Sequence, residues 1–340
     1  MSVQFSVRNA LFLWVLFFLI CFGLGYPILN RYNPGQIGGT ADAADYAEMV
    51  RGPIHVASYR PFVPMLARPF YLMAKGRVGS WDPVFFGMLV GTSILTAGTA
   101  VVIVPIGLRC GFSYLTSLVG AMLFLFNFAV PNWDLGGYVD SGEAFFLALI
   151  TWSLLSSRWY LLPLWAIPGS LSKETFAPFA VVFVFAWWLA QRPLRAGKLL
   201  WIIGLAFLSC ATVLSSFSSS GGFFTGAARY TAATSAFRNV GFFRSFINNL
   251  TAHEFWFTFV WLLPLGLLGI KRMDRRWIWA TAATFFLALL FGAYNNALGN
   301  TTRALFNVAG PLLSISTAVF LTERQPEPPQ RISQSSYSSK

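Results

Sequence analysis

Pro83 to Gly107 reads PVFFGMLVGTSILTAGTAVVIVPIG, 25 residues without a single charge. A helix rises about 1.5 Å per residue, so a run of this length is what crosses roughly 30 Å of hydrocarbon. Nine more apolar segments flank it, at about 10–29, 112–130, 140–156, 159–171, 175–190, 199–217, 255–270, 277–293 and 303–321. None alternates apolar and polar residues as a membrane barrel strand does, so the spans are expected to be helical. The fold class this predicts is all-α: a polytopic membrane protein of about ten transmembrane or half-spanning helices. The fifth and sixth segments are short and are split by Ser170, Ser172, Lys173 and Glu174, a pattern expected of a hairpin that does not fully span.

The composition agrees. Of 340 residues 56% are hydrophobic and only 11% charged, and the mean hydropathy is +0.61, which excludes an ordinary soluble domain. Cys21, Cys110 and Cys210 all lie in or at the ends of apolar runs with no CxxC pair, so neither a zinc site nor a disulfide framework is expected. A net charge of +12 would suggest nucleic acid in a soluble protein. Here the basic residues sit between spans, and topology explains them without a nucleic-acid partner.

With a cytoplasmic amino terminus, the short inner connections carry nine basic residues: Arg109, Arg158, Arg192, Arg195, Lys198, Lys271, Arg272, Arg275 and Arg276. The short outer connections carry two, Lys173 and Arg303. This asymmetry sets the orientation. The first span follows Arg8 without a small-residue cleavage site and is expected to be an uncleaved signal anchor. Residues 1–322 are expected to form one transmembrane domain. The proline- and serine-rich stretch 323–340 is expected to be a disordered cytoplasmic tail.

Two outer connections are long, residues 30–82 and 218–254. Within the first, YRPFVPMLARPFYLMAKGR (Tyr59 to Arg77) mixes large apolar residues with Arg and Lys, as an interfacial helix does. The second opens on a predicted hinge at Ser218, Ser219, Ser220, Gly221 and Gly222. It then spaces Arg229, Arg238 and Arg244 among aromatics.

Nine of the twelve acids fall on the outer side: Asp42, Asp45, Glu48, Asp82, Asp134, Asp140, Glu143, Glu174 and Glu254. Acids contribute little to topology, so either long loops simply hold polar residues or a site is gathered there. Asp42 stands among small residues in GTADAADY (Gly39 to Tyr46), which leaves room for a ligand. Asp134 and Asp140 bracket a tight turn, with Asp140 at the start of a span, where a helix cap is the plain alternative. Lys173 and Glu174 interrupt apolar sequence, where charge is costly; they either line a polar cavity or form a local pair. Arg60 and Arg303 either snorkel to lipid headgroups or clamp a substrate phosphate. His55 and His253 have no serine or cysteine beside them that would make a hydrolase triad.

Several of these stretches resemble a known family. Asp42-Ala43-Ala44-Asp45-Tyr46 resembles the D-A-A-x-Y element in the first outer loop of bacterial GT-C membrane glycosyltransferases, which take sugars from polyprenyl-phosphate carriers. Tyr59-Arg60-Pro61-Phe62-Val63-Pro64 is similar to the R-P-x-x-P segment that follows it, and Leu171-Ser172-Lys173-Glu174-Thr175 to the mid-chain Lys-Glu stretch. Two departures stand out. The second acid of an Asp-Glu pair seen in some relatives is Ala43 here, and the soluble carboxy-terminal domain of larger members is not in this sequence.

The resemblance implies a GT-C-like fold in a bacterial inner membrane, with extracytoplasmic loop helices and an active site facing the exterior. The donor would be a polyprenyl-phosphate-linked sugar and the acceptor a glycan, lipid or protein. Asp42 would be the general base of an inverting displacement. Lys173, Arg60 and Arg303 would stabilise the departing phosphate, while Asp45, Tyr46, Asp134, Asp140 and Glu174 complete the substrate-binding set. Ala43 leaves metal dependence open; a divalent cation, Mg or Mn, on Asp42 and Asp140 is the candidate cofactor. Three rivals remain: a polyisoprenoid-linked glycan ligase or acyltransferase, a lipid transporter or flippase, and a non-catalytic subunit. A transporter is expected to show a repeated half and charges near the midplane, and neither is visible.

Overall fold

The computed structural model describes residues 5–31, 41–52, 60–77, 82–191, 193–194, 196–219, 241–295 and 300–323. Among the described residues there is helix and no strand. The elements in order are α1 (Val7–Arg31), α2 (Ala41–Arg51), α3 (Phe62–Ala74), α4 (Pro83–Arg109), α5 (Tyr114–Leu125), a π-helical turn (Val130–Asp134), α6 (Asp140–Leu155), α7 (Leu162–Ser172) and α8 (Phe176–Ala190). After these come α9 (Leu199–Ser219), α10 (Phe242–Thr251), α11 (His253–Phe259), α12 (Leu262–Gly269), α13 (Arg275–Asn295) and α14 (Asn300–Thr322).

Among the described residues, five helices are long and apolar enough to cross a bilayer: α1, α4, α9, α13 and α14. The pair α11 and α12, bent by 41° at its break, makes a sixth if counted as one span. The ten expected segments are all helical, but α5, α6, α7 and α8 have only 12, 16, 11 and 15 residues, roughly 17 to 24 Å of helix. Local chemistry sets these lengths. Pro163 and Pro168 lie in α7, and Lys173 at its end takes an extended backbone conformation that stops the helix. The start of α5 is fixed by Ser113, whose hydroxyl accepts from the Thr116 amide at 3.0 Å, and the start of α4 by Asp82, which accepts from the Val84 amide at 2.7 Å ahead of Pro83.

Burial sorts the long helices. The apolar windows of α4 and α14 are 78% and 89% buried, against 22% for α1 and for α9. The first two are the axis of the bundle and the second two its outer staves. Phe124 of α5 stacks on Phe306 of α14 at 5.1 Å, and Trp187 and Trp277 are fully enclosed.

The expected interfacial stretch is α3, which lies along α4. Its Val63 and Ala67 are buried while Met65, Leu72 and Met73 face out. The approach needs Gly87, because a Cβ there would come within 2.8 Å of the Ala67 carbonyl oxygen. The expected hinge at Ser218 and Ser219 differs from the structure, in which α9 continues helical through Ser219. The rest of that loop, residues 220–240, lies outside the described residues, as do Arg192, Arg195, His55 and the tail beyond Glu323.

Candidate functional site

The first turn of α6 carries two acids, Asp140 and Glu143, three residues apart and therefore on one face. Both are buried, Glu143 completely. Asp140 is not the cap of its helix; Val139 takes that position without a side-chain bond. The Asp140 carboxylate is instead shared between two cations. Lys173 Nζ donates to one oxygen at 2.5 Å and an Arg303 guanidinium nitrogen to the other at 3.2 Å.

Lys173 also reaches Glu143, at 3.3 Å. The other bonds to Glu143 come from Asn307 of α14 at 2.7 Å and from the Thr175 hydroxyl. Buried charges of this density persist only when every one is paired. Here α6, the α7–α8 junction and α14 each supply a member.

Lys173 and Glu174 do not pair with each other. The extended backbone at Lys173 turns neighbouring side chains to opposite sides. Glu174 accordingly meets Arg60 from the segment before α3. The two form a fork, with Nε to one carboxylate oxygen at 2.7 Å and a terminal nitrogen to the other at 2.6 Å. The third Arg60 nitrogen donates to the Tyr46 hydroxyl of α2 at 2.8 Å. Burial would push the Glu174 carboxyl up, but the Arg60 guanidinium outweighs it and holds the group below its usual range.

Asp134 ends the π-helical turn beside this cluster. It is buried, and among the described residues its Oδ2 has no hydrogen-bond partner. Burial and then the Asp140 charge push its carboxyl well above the usual carboxylate range. Arg303 lies over the Tyr138 ring at 4.5 Å, which fixes its side chain on the turn joining Asp134 to Asp140.

Of the residues singled out in the sequence, Tyr46, Arg60 and Glu174 thus form one bonded group and Asp140, Lys173 and Arg303 a second, adjacent through the Lys173–Glu174 step in the chain, with Asp134 adjoining. Asp42 and Asp45 belong to α2, but their side chains lie outside the described residues. Asp82 pairs with Arg51 at 3.7 Å instead, and Glu254 with the exposed His253 at 3.2 Å. Sequence reasoning missed Glu143, Thr175 and Asn307 as members of the cluster. The i,i+3 spacing from Asp140 and the i,i+4 spacing from Arg303 were the available signals for Glu143 and Asn307.

The described donors do not fit a divalent cation at Asp140. Each of its oxygens already faces a positive nitrogen. Among the described residues, no group of three His, Cys, Asp or Glu side chains converges on a point that would hold a metal.

At the far ends of the same helices the chemistry is different. Arg276 binds Asp274 and lies over Trp187 at 5.5 Å, Lys198 lies over Trp159 at 4.6 Å, and Arg272 bonds Glu323 at 3.2 Å. The helices α6, α8 and α14 therefore each run from the acid-rich cluster to a basic, tryptophan-lined end.

No protein family, no curated protein and no solved structure matches this chain.

Proposed function

We propose that this chain is a membrane glycosyltransferase that moves a sugar from a polyprenyl-phosphate carrier to an extracytoplasmic acceptor. One observation carries the reading. Tyr46, Arg60, Asp140, Lys173 with Glu174, and Arg303 come from five separate stretches of sequence and form two adjacent hydrogen-bonded groups, Tyr46–Arg60–Glu174 and Lys173–Asp140–Arg303, joined where Lys173 meets Glu174 in the chain. A lipid-linked sugar asks for such a place: an apolar flank for the carrier, cations for its phosphate, and a carboxylate at the sugar.

In this reading Asp42, one helical turn before Tyr46 in α2, takes the proton of the acceptor hydroxyl as that oxygen attacks the anomeric carbon. The bond from that carbon to the carrier phosphate breaks, the phosphate leaves with the electron pair, and the single displacement inverts the centre. Arg60 stabilises the leaving phosphate. Lys173 and Arg303, fixed by Asp140 and Glu143, hold the floor of the site. The nine-to-two distribution of basic residues supports an outward-facing site in a bacterial inner membrane, with the ten helical segments as crossings or half-crossings.

The test incubates detergent-purified protein with a panel of radiolabelled polyprenyl-phosphate sugars and follows release of the carrier phosphate. Release from one or more donors is expected. If no donor turns over, and none binds, the reading is lost.

A further inference from the structure

The cluster contains two layers that differ in access. Asp140 and Glu143 have side chains only 3% and 0% exposed, and they lock Lys173 and Arg303 together. Arg60 and Glu174 are the shallower pair, with side chains 13% and 14% exposed. Their contact is also the more telling one. A carboxylate in a two-point fork on a guanidinium occupies the same two donor directions that a phosphate monoester would use.

Resting on the lipid-phosphate reading above, we infer that Glu174 is an internal stand-in for the ligand's phosphate. It holds Arg60 in the empty protein and is displaced when the lipid phosphate arrives. The carboxylate gives the part-buried guanidinium a two-point charged partner, and losing that pair would destabilise the unliganded fold. It also competes with the ligand, so the affinity for the phosphate is set by an exchange of one fork for another rather than by filling a vacant site.

The exchange has a route through the fold. Arg60 is the bridge between the α7–α8 junction, through Glu174, and α2, through the Tyr46 hydroxyl at 2.8 Å. A phosphate that takes the fork leaves the Arg60–Tyr46 bond in place while freeing the junction, so occupancy of the phosphate position is transmitted to the segment that follows Lys173.

The inference predicts a sign opposite to that of an ordinary substrate-contacting or structural acid. Glu174→Gln keeps the shape of the side chain but removes its charge, so the empty variant should melt at a lower temperature than wild type. It should also bind geranylgeranyl phosphate, the probe used here, roughly tenfold more tightly, because the competitor for a charged hydrogen-bonding fork is gone. The ligand-induced rise in melting temperature should grow in step. In an Arg60→Ala background the same Glu174→Gln change should give no gain, which separates release of the fork from a general loss of negative charge.

Titration of the four full-length proteins (wild type, E174Q, R60A and the double variant) in detergent, followed by binding and by thermal melting, decides the matter. Weaker or unchanged binding in E174Q, or a gain that persists without Arg60, overturns the inference while leaving the lipid-phosphate reading intact. If neither wild type nor E174Q binds the probe, the inference falls, and turnover of the polyprenyl-phosphate sugar panel decides the lipid-phosphate reading by itself.

Discussion

Asp134 and Asp140 are six residues apart and equally buried, yet their neighbours give them opposite characters. Asp140 faces Lys173 and Arg303 and carries the charge that both require. Among the described residues Asp134 Oδ2 has no hydrogen-bond partner, and burial, then the Asp140 charge beside it, push its carboxyl well above the usual carboxylate range. Asp134→Asn should therefore leave thermal stability close to wild type. Asp140→Asn should cost about 3–5 kcal/mol, because it removes the buried charge that Lys173 and Arg303 share. Melting curves in detergent measure both, and similar losses in the two variants would refute the distinction. Asp42 is the sharper functional case. Asp42→Asn should reduce transfer by about 100-fold to 10,000-fold by removing a proton acceptor, whereas Asp45→Asn should cost far less. Near wild-type transfer by Asp42→Asn together with a dead Asp45→Asn would reverse the assignment.

Among the elements, the short helices α7 and α8 matter most for the site. A single uninterrupted span through 162–190 would have placed Lys173 and Glu174 about 100° apart on one cylinder. The extended residue at the junction sends them to different partners, Asp140 and Arg60. Close helix contact sets the other side of the bundle, where α12 lies on α14. A Cβ on Gly269 would stand 2.0 Å from the Ser316 carbonyl oxygen, a backbone atom that cannot swing away. Gly269→Ala should therefore force the two helices apart and lower stability by about 1–3 kcal/mol. An unchanged melting temperature would mean that the helices slide freely. The change lies far along α14 from Arg303, so binding of the lipid phosphate should persist in the folded fraction.

For the whole molecule the testable quantity is orientation. The acid-rich cluster and the basic, tryptophan-lined ends sit at opposite ends of α6, α8 and α14, so one membrane sidedness governs both. Met273, at the basic end, is buried and would report poorly on access. Its exposed neighbour Lys271 and the exposed His253 near the cluster end serve better. With Cys21, Cys110 and Cys210 replaced, His253→Cys should react with a membrane-impermeant thiol reagent in intact cells and Lys271→Cys should not. The reverse pattern would place the cluster in the cytoplasm and remove an extracytoplasmic acceptor.

The sequence by itself determined the helical class and the positions of the apolar segments. It also determined which end of each helix is basic, because hydrophobic run length and loop charge are properties of consecutive residues. It pointed to most of the polar cluster through single residues that are costly in apolar surroundings: Lys173, Glu174, Asp140 and Arg303. Only the tertiary structure decided who pairs with whom. Nothing local in the sequence joins Arg60 to Glu174 across 114 positions or Asn307 to Glu143 across 164. Nor could hydropathy tell that α4 and α14 form the axis while α1 and α9 lie outside. In a membrane protein, lipid-facing and buried surfaces are equally apolar, so which helix is enclosed depends on shape and on the pairing of buried charges rather than on an amphipathic pattern.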